Sequence, residues 1–211
     1  MTDIRRSLLK GMADIVGDLY PSEAPKNTAV YKSSNAPVPA QQPTLPAFRD
    51  LWKTADETIY WTDILVSHTP TDGLTPPDKW ALYHQHAEGV LKGDIAAYLA
   101  VLQAENPMAD LTPYVAALEV TTVDADSLRA AFSVRPDLMH KNAGAYICGM
   151  AVRIARDLFA VLPVLAVEVR ATQGDKPLLS VSFTRAQMNK VRFAFIDPVE
   201  FVKDCEGQFH V

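Results

Sequence analysis

The spacing of apolar and polar residues changes period several times along this chain, and each change marks a predicted element. From Leu165 to Thr184 the period is two. Leu165, Val167, Val169 and Ala171 alternate with Ala166, Glu168, Arg170 and Thr172. Gln173-Gly174-Asp175-Lys176 supplies a turn, and Leu179, Val181 and Phe183 then alternate with Ser180, Ser182 and Thr184. Such alternation predicts a strand pair with one face in a core and one toward water. A similar pair is read from Tyr114 to Val134, turning at Asp124-Ala125-Asp126. The two pairs match at an offset of 49 positions, from Glu119 to Glu168. Leu118, Val120, Ala130, Phe132 and Val134 then fall on Val167, Val169, Leu179, Val181 and Phe183. Few identities survive, so the structural reading rests on the pattern and needs no duplication.

Between the hairpins, residues 141–162 repeat with a helical period. Cys148, Val152, Ala155 and Phe159 form the centre of the apolar arc, with Ile147, Ala151, Ile154, Leu158 and Val161 on its flank. Only Arg153, Arg156 and Asp157 mark a charged side. An arc this wide predicts contact with the sheet on one side and with other helices on another. Pro163 stops it. Upstream, Thr75-Pro76-Pro77-Asp78 reads as a helix start, followed by Trp80, Tyr83, Ala87, Val90 and Leu91 on one face. Gly93 ends that helix, Asp94 starts the next, and Asn106-Pro107 closes it. Asp197-Pro198 caps a short helix, and Gln208 to Val211 suits a short strand. Residues 47–68 are ambiguous: Phe48, Leu51 and Trp52 suggest a short helix, whereas the aromatic and β-branched run Thr58 to Val66 suits a strand.

The assembled expectation is an α+β domain over residues 47–211. Its antiparallel sheet has four or more strands from two hairpins, in the order α-β-β-α-β-β, with helices packed on one face. Two segments precede the domain. Residues 1–20 are expected to form an amphipathic helix, with Ile4, Leu8, Leu9, Met12, Ile15, Val16 and Leu19 on one arc. Residues 21–46 read as a proline-rich linker, since Pro21, Pro25, Pro37, Pro39, Pro43 and Pro46 fall among small polar residues.

Composition narrows the function classes. The formal net charge is −5 over 211 residues, which argues against the clustered Lys and Arg of a nucleic-acid surface. Cys148 and Cys205 are the two cysteines, a sparse usage that suits a reducing compartment. Asp3, Asp14 and Asp18 break any signal-peptide core at the N-terminus, and no apolar run has the length of a membrane span. The expectation is a cytoplasmic protein with no membrane association.

Catalytic and metal signatures are missing from the sequence. His84-Gln85-His86 falls on a predicted helix, where residues two apart point about 200° apart and cannot share an ion. No G-x-S-x-G elbow, P-loop, H-E-x-x-H or G-x-G-x-x-G occurs. Cys148 lies on the apolar face, and Cys205 sits between Asp204 and Glu206, which raise a thiol pKa. No catalytic residue, metal ligand or cofactor site is therefore assigned. The basic group Arg185, Lys190 and Arg192 reads as solvated surface.

The polar sheet face is the best remaining surface. Small hydroxyl residues and the arginines Arg129, Arg135 and Arg170 make a candidate binding face, set against the plainer reading of solvated cross-strand ion pairs. The leading expectation is a non-catalytic binding or assembly protein. It acts through self-association or a protein partner, using residues 1–20 or the polar sheet face. The alternative is a small-molecule enzyme or ligand-binding protein. Its site would lie between the helices of residues 75–105 and the sheet, with His84, Glu88, Arg153 and Arg156 as ligand-binding residues. Nucleic-acid binding through the sheet is a third and weaker option.

Overall fold

A computed structural model describes residues 30–32, 50–69, 77–139 and 142–210. The expected helix in residues 1–20, most of the expected linker, and the Thr75-Pro76 cap lie outside the described residues. Six strands form one sheet: β1 (Val30–Lys32), β2 (Val115–Thr122), β3 (Ser127–Val134), β4 (Ala166–Gln173), β5 (Lys176–Thr184) and β6 (Gln208–Phe209), hydrogen-bonded in that order. Six α-helices are seen among the described residues: α1 (Trp61–Val66), α2 (Pro77–Leu91), α3 (Ile95–Glu105), α4 (Ala143–Val161), α5 (Arg185–Met188) and α6 (Pro198–Asp204).

The alternation in the two hairpins translates into burial along the strands, except that Leu165, expected inward, lies just before β4 and is exposed. Leu118 and Val120 of β2, with Leu128, Ala130, Phe132 and Val134 of β3, are buried. Val167, Val169, Ala171, Leu179, Val181 and Phe183 of β4 and β5 continue the same layer. Register keeps these side chains together: Leu118 opposes Phe132, Leu128 opposes Val167, and Val167 opposes Phe183. Glu119, Thr121, Arg129, Ser133, Glu168, Arg170, Thr172, Ser180 and Ser182 on the other face are half-exposed or exposed.

The sheet is mixed, and this corrects the antiparallel expectation. β3 and β4 pair in parallel, from Ser127↔Ala166 to Ser133↔Thr172. The helix between the hairpins is the cause. α4 lies on the sheet and carries the chain back to the end where β3 began, so β4 starts beside the start of β3. Parallel neighbours require such a crossover, whereas a tight turn produces antiparallel ones. Each hairpin is antiparallel within itself.

α4 is buried from Tyr146 to Val161 apart from half-buried Arg156. One side packs on β3, β4 and β5, and another packs on α6 and on the 3₁₀ turn Leu51–Lys53. Gly149 permits the second contact, because a Cβ there would lie 2.8 Å from Cε3 of the Trp52 indole. The helix stops where the sequence says it should. Leu162 precedes Pro163 and adopts ψ 146°, the extended conformation that a following proline imposes.

Two further departures come from tertiary contacts. Trp61–Val66 is a helix, not the strand that its β-branched composition suits. Trp61 donates its indole N–H to Val161 O of α4 at 2.8 Å, and Ile64 is buried beside it, so packing on α4 overrides local preference. Val30–Lys32, inside the expected linker, is an edge strand opposite residues 119–121 of β2. This stretch has no proline, and Tyr31 is buried with its hydroxyl donating to Asn106 Oδ1.

Candidate functional site

Three places on the described structure gather chemistry. The first is a polar cluster under the segment 50–61, which runs along α4. Arg153 and Asp157 lie one turn apart on α4 and are both buried. Arg153 Nε donates to the two Asp157 oxygens at 2.9 and 2.7 Å. Its Nη1 donates to Thr54 Oγ1 at 2.6 Å, and its Nη2 to Asp110 Oδ2 at 3.1 Å. The Asp56 backbone N–H donates to Asp157 Oδ1 at 2.9 Å. Arg156 donates to Trp52 O and Thr54 O, and its guanidinium lies 4.2 Å from the Phe193 ring centroid. Two neighbouring α4 side chains thus clasp one strap of irregular backbone.

Burial controls the electrostatics of this cluster. It pushes the Asp157 carboxyl up to about 7, against the downward pull of Arg153. It also raises Asp56, again opposed by Arg153 and reinforced by Asp110. Tyr83 of α2 is raised by burial and by its hydrogen bond to Glu105, which also accepts from Lys79 at 2.7 Å. The sign for stability follows from linkage. Asp157 binds a proton more tightly folded than unfolded, so its contribution is full below about pH 4 and is lost as pH rises through about 7. The slope from this one group reaches about 1.4 kcal/mol per pH unit inside that window. Denaturation of wild type and Asp157→Asn across this range should show wild type losing ground to the variant as pH rises. Parallel curves would contradict the assignment.

The second place is the open face of the sheet. Arg129 Nε and Arg170 Nε donate to opposite oxygens of Glu168 at 2.7 and 2.6 Å. Burial raises the Glu168 carboxyl, but the two guanidiniums outweigh it and leave the carboxyl below its ordinary value. Ser133 and Thr172 share a hydroxyl contact of 3.2 Å, and Lys32 pairs with Glu119 at 2.9 Å. Arg135 is elsewhere, donating to Asp137 and to Pro113 O. Arg129 and Arg170 are therefore brought together through Glu168, and Arg135 is not.

The four helix-side candidates also divide. Arg153 and Arg156 converge on the strap. His84 stacks on Trp80, with ring centroids 4.7 Å apart, and Glu88 pairs with Lys92 at 2.6 Å. Neither shares a hydrogen bond or an ion pair with the two arginines. Sequence reasoning did not select Asp56, Asp110 or Asp157 as site residues. The signal for Asp157 was present, since it falls four residues after Arg153 inside an apolar arc. Asp56 and Asp110 reach the cluster only through the path of the chain.

The third place is a groove at the C-terminal end of α4. The last carbonyls of α4 are all occupied there. Ile59 N–H donates to Ala160 O at 2.9 Å and the Trp61 indole to Val161 O. Arg185 Nη2 donates to Phe159 O at 2.9 Å and to Leu162 O, and its Nε to Val164 O at 2.8 Å. A helix end leaves about four carbonyls without intrahelical partners, and here side chains and strap supply them.

Both cysteines are buried. Burial pushes the Cys148 thiol up to about 12 and raises Cys205 as well, with Asp204 adding to the second. Thiolate chemistry is suppressed at both. Among the described residues no group of three or more His, Cys, Asp or Glu side chains is placed to hold a metal ion. No helix among them is long and apolar enough to cross a membrane. Comparisons with protein-family models, with curated proteins and with solved structures find no match to this chain.

Proposed function

We propose that this is a non-catalytic binding protein of the cytoplasm that presents the open face of its sheet to another protein surface, a second copy being the first candidate. One observation carries the reading. The apolar sides of β2 to β5 are buried, while their opposite sides form a broad half-exposed surface of small and hydroxyl side chains. The charges on that surface are largely paired with each other through Glu168, which favours a flat protein surface over a polyanion. The polar cluster on α4 supports the non-catalytic part. Asp157 is fully buried and its oxygens are already bound by Arg153 and the Asp56 amide.

Ala131 lies near the middle of the face, between Glu119 and Arg170 in register. Ala131→Arg points outward from a half-exposed site and should shift stability by no more than about 0.5 kcal/mol. Light scattering on the full chain should give a mass above the 23.2 kDa of one copy for wild type and a lower mass for the variant. A wild-type chain that stays at one copy, with the same lysate proteins retained by wild type and variant, would sink the reading.

A further inference from the structure

The groove at the end of α4 is shallow and open to solvent, with a volume of about 320 Å³, the lower end of the range for small-ligand sites. Ile59, Tyr60, Trp61, Leu91, Phe159 and Arg185 are among its walls. Its rim exposes unusual apolar area: Tyr60 is 66% exposed and Leu91 40%. Just beyond it, Leu165, whose carbonyl accepts from the Arg185 N–H, is 56% exposed.

Arg185 is the one charged residue among those that line the groove. Its Nε and Nη2 are held by three backbone carbonyls, and its guanidinium lies 5.1 Å from the Phe159 ring centroid. Among the described residues no carboxylate pairs with it, and Nη1 makes no hydrogen bond. A half-buried charge is normally matched by an opposite one. The C-terminal dipole of α4 is equivalent to about half a negative charge, so it offsets only part of the guanidinium. The groove stays cationic, and its cation is fixed in place. Thr58, Tyr60 and Thr62 add hydroxyls along the same walls.

We propose that this groove binds a small amphipathic carboxylate. The apolar or aromatic body lies against Trp61, Phe159 and Leu91, and a carboxylate oxygen accepts from Arg185 Nη1. This site is separate from the sheet face and does not depend on its role. Because Nε and Nη2 are occupied, the contact is single-edged, and a threonine or tyrosine hydroxyl completes it. An uncharged analogue of the same shape keeps the apolar contacts and loses the charge-assisted bond.

The test titrates the full chain with phenylbutyrate and, separately, with phenylbutanamide. Calorimetry supplies affinity, and nuclear magnetic resonance follows the backbone amides of residues 58–62. The expected result is saturable binding, with the acid at least about tenfold tighter than the amide. Thr62→Trp fills the groove from an exposed position and leaves the three carbonyl bonds of Arg185 intact. It should weaken the acid at least about tenfold with an unchanged melting temperature. No saturable binding, equal affinity for acid and amide, or undiminished binding by a folded Thr62→Trp chain would each overturn the proposal.

Discussion

Asp157→Ala is expected to cost about 3–5 kcal/mol of folding stability below pH 7, and less near pH 8, where the raised carboxyl has already lost its pH-dependent contribution. The reason is what it strands. Arg153 is buried, and Asp157 accepts two of its hydrogen bonds. Removing the carboxylate leaves a guanidinium facing only Thr54 and the more exposed Asp110. It also leaves the Asp56 amide without its acceptor. A buried charge without its partner costs far more than the pair contributes, because desolvation has already occurred. Arg153→Met should cost a comparable amount, and the double variant Arg153→Met with Asp157→Leu should cost much less than the two singles together. A double-mutant cycle in denaturant measures this, and additive costs would show that the two side chains do not act as a unit. Hydrogen exchange supplies the structural readout: the amides of residues 56 and 59 should lose protection first, since both donate to α4.

The second large effect separates two phenylalanines of the same chain. Phe183→Ala is expected to cost about 3–5 kcal/mol, and Phe195→Ala less than about 0.5 kcal/mol. Phe183 is fully buried on β5, faces Val167 across the sheet, and stacks on Phe201 of α6 at 5.9 Å and 12°. Its removal opens a cavity where sheet, α4 and α6 meet, and a close-packed interior refills such a space only in part. Phe195 is 85% exposed, so little apolar area is lost with it. The denaturation midpoint should fall for Phe183→Ala with an unchanged slope. Equal midpoints for the two variants would mean that the core is not where the register of β4 and β5 puts it.

Much of the layer around Phe183 was legible in the sequence. Along Val167 to Ala171 and Leu179 to Phe183 burial follows from parity along a strand, a local property, whereas Leu165, the position before β4 with the same parity, is exposed. The end of α4 at Pro163 and the Asp197 cap of α6, which accepts from Val199 and Glu200, were local as well. The β-branched composition of Thr58–Val66 suits a strand and misleads, because composition weighs only a residue's own neighbours, and Trp61 answers to Val161, a hundred positions away. The polar cluster was half legible. Arg153 and Asp157 stand one helical turn apart and could be paired from spacing. Asp56 and Asp110 lie 101 and 47 positions before Asp157 and carry no local mark.

What the sequence by itself determined is the inward face of each hairpin, the helical period of the segment between them, and the points where elements stop. These depend on the side-chain direction and backbone limits of adjacent residues. Only the tertiary structure decided that β3 and β4 run in parallel, that Val30–Lys32 joins the sheet, and that the strap 50–61 closes over Arg153 and the end of α4. Those outcomes depend on where α4 comes to rest, because its resting place sets which strand starts lie side by side and which carbonyls need a donor. No window of a few residues contains that information.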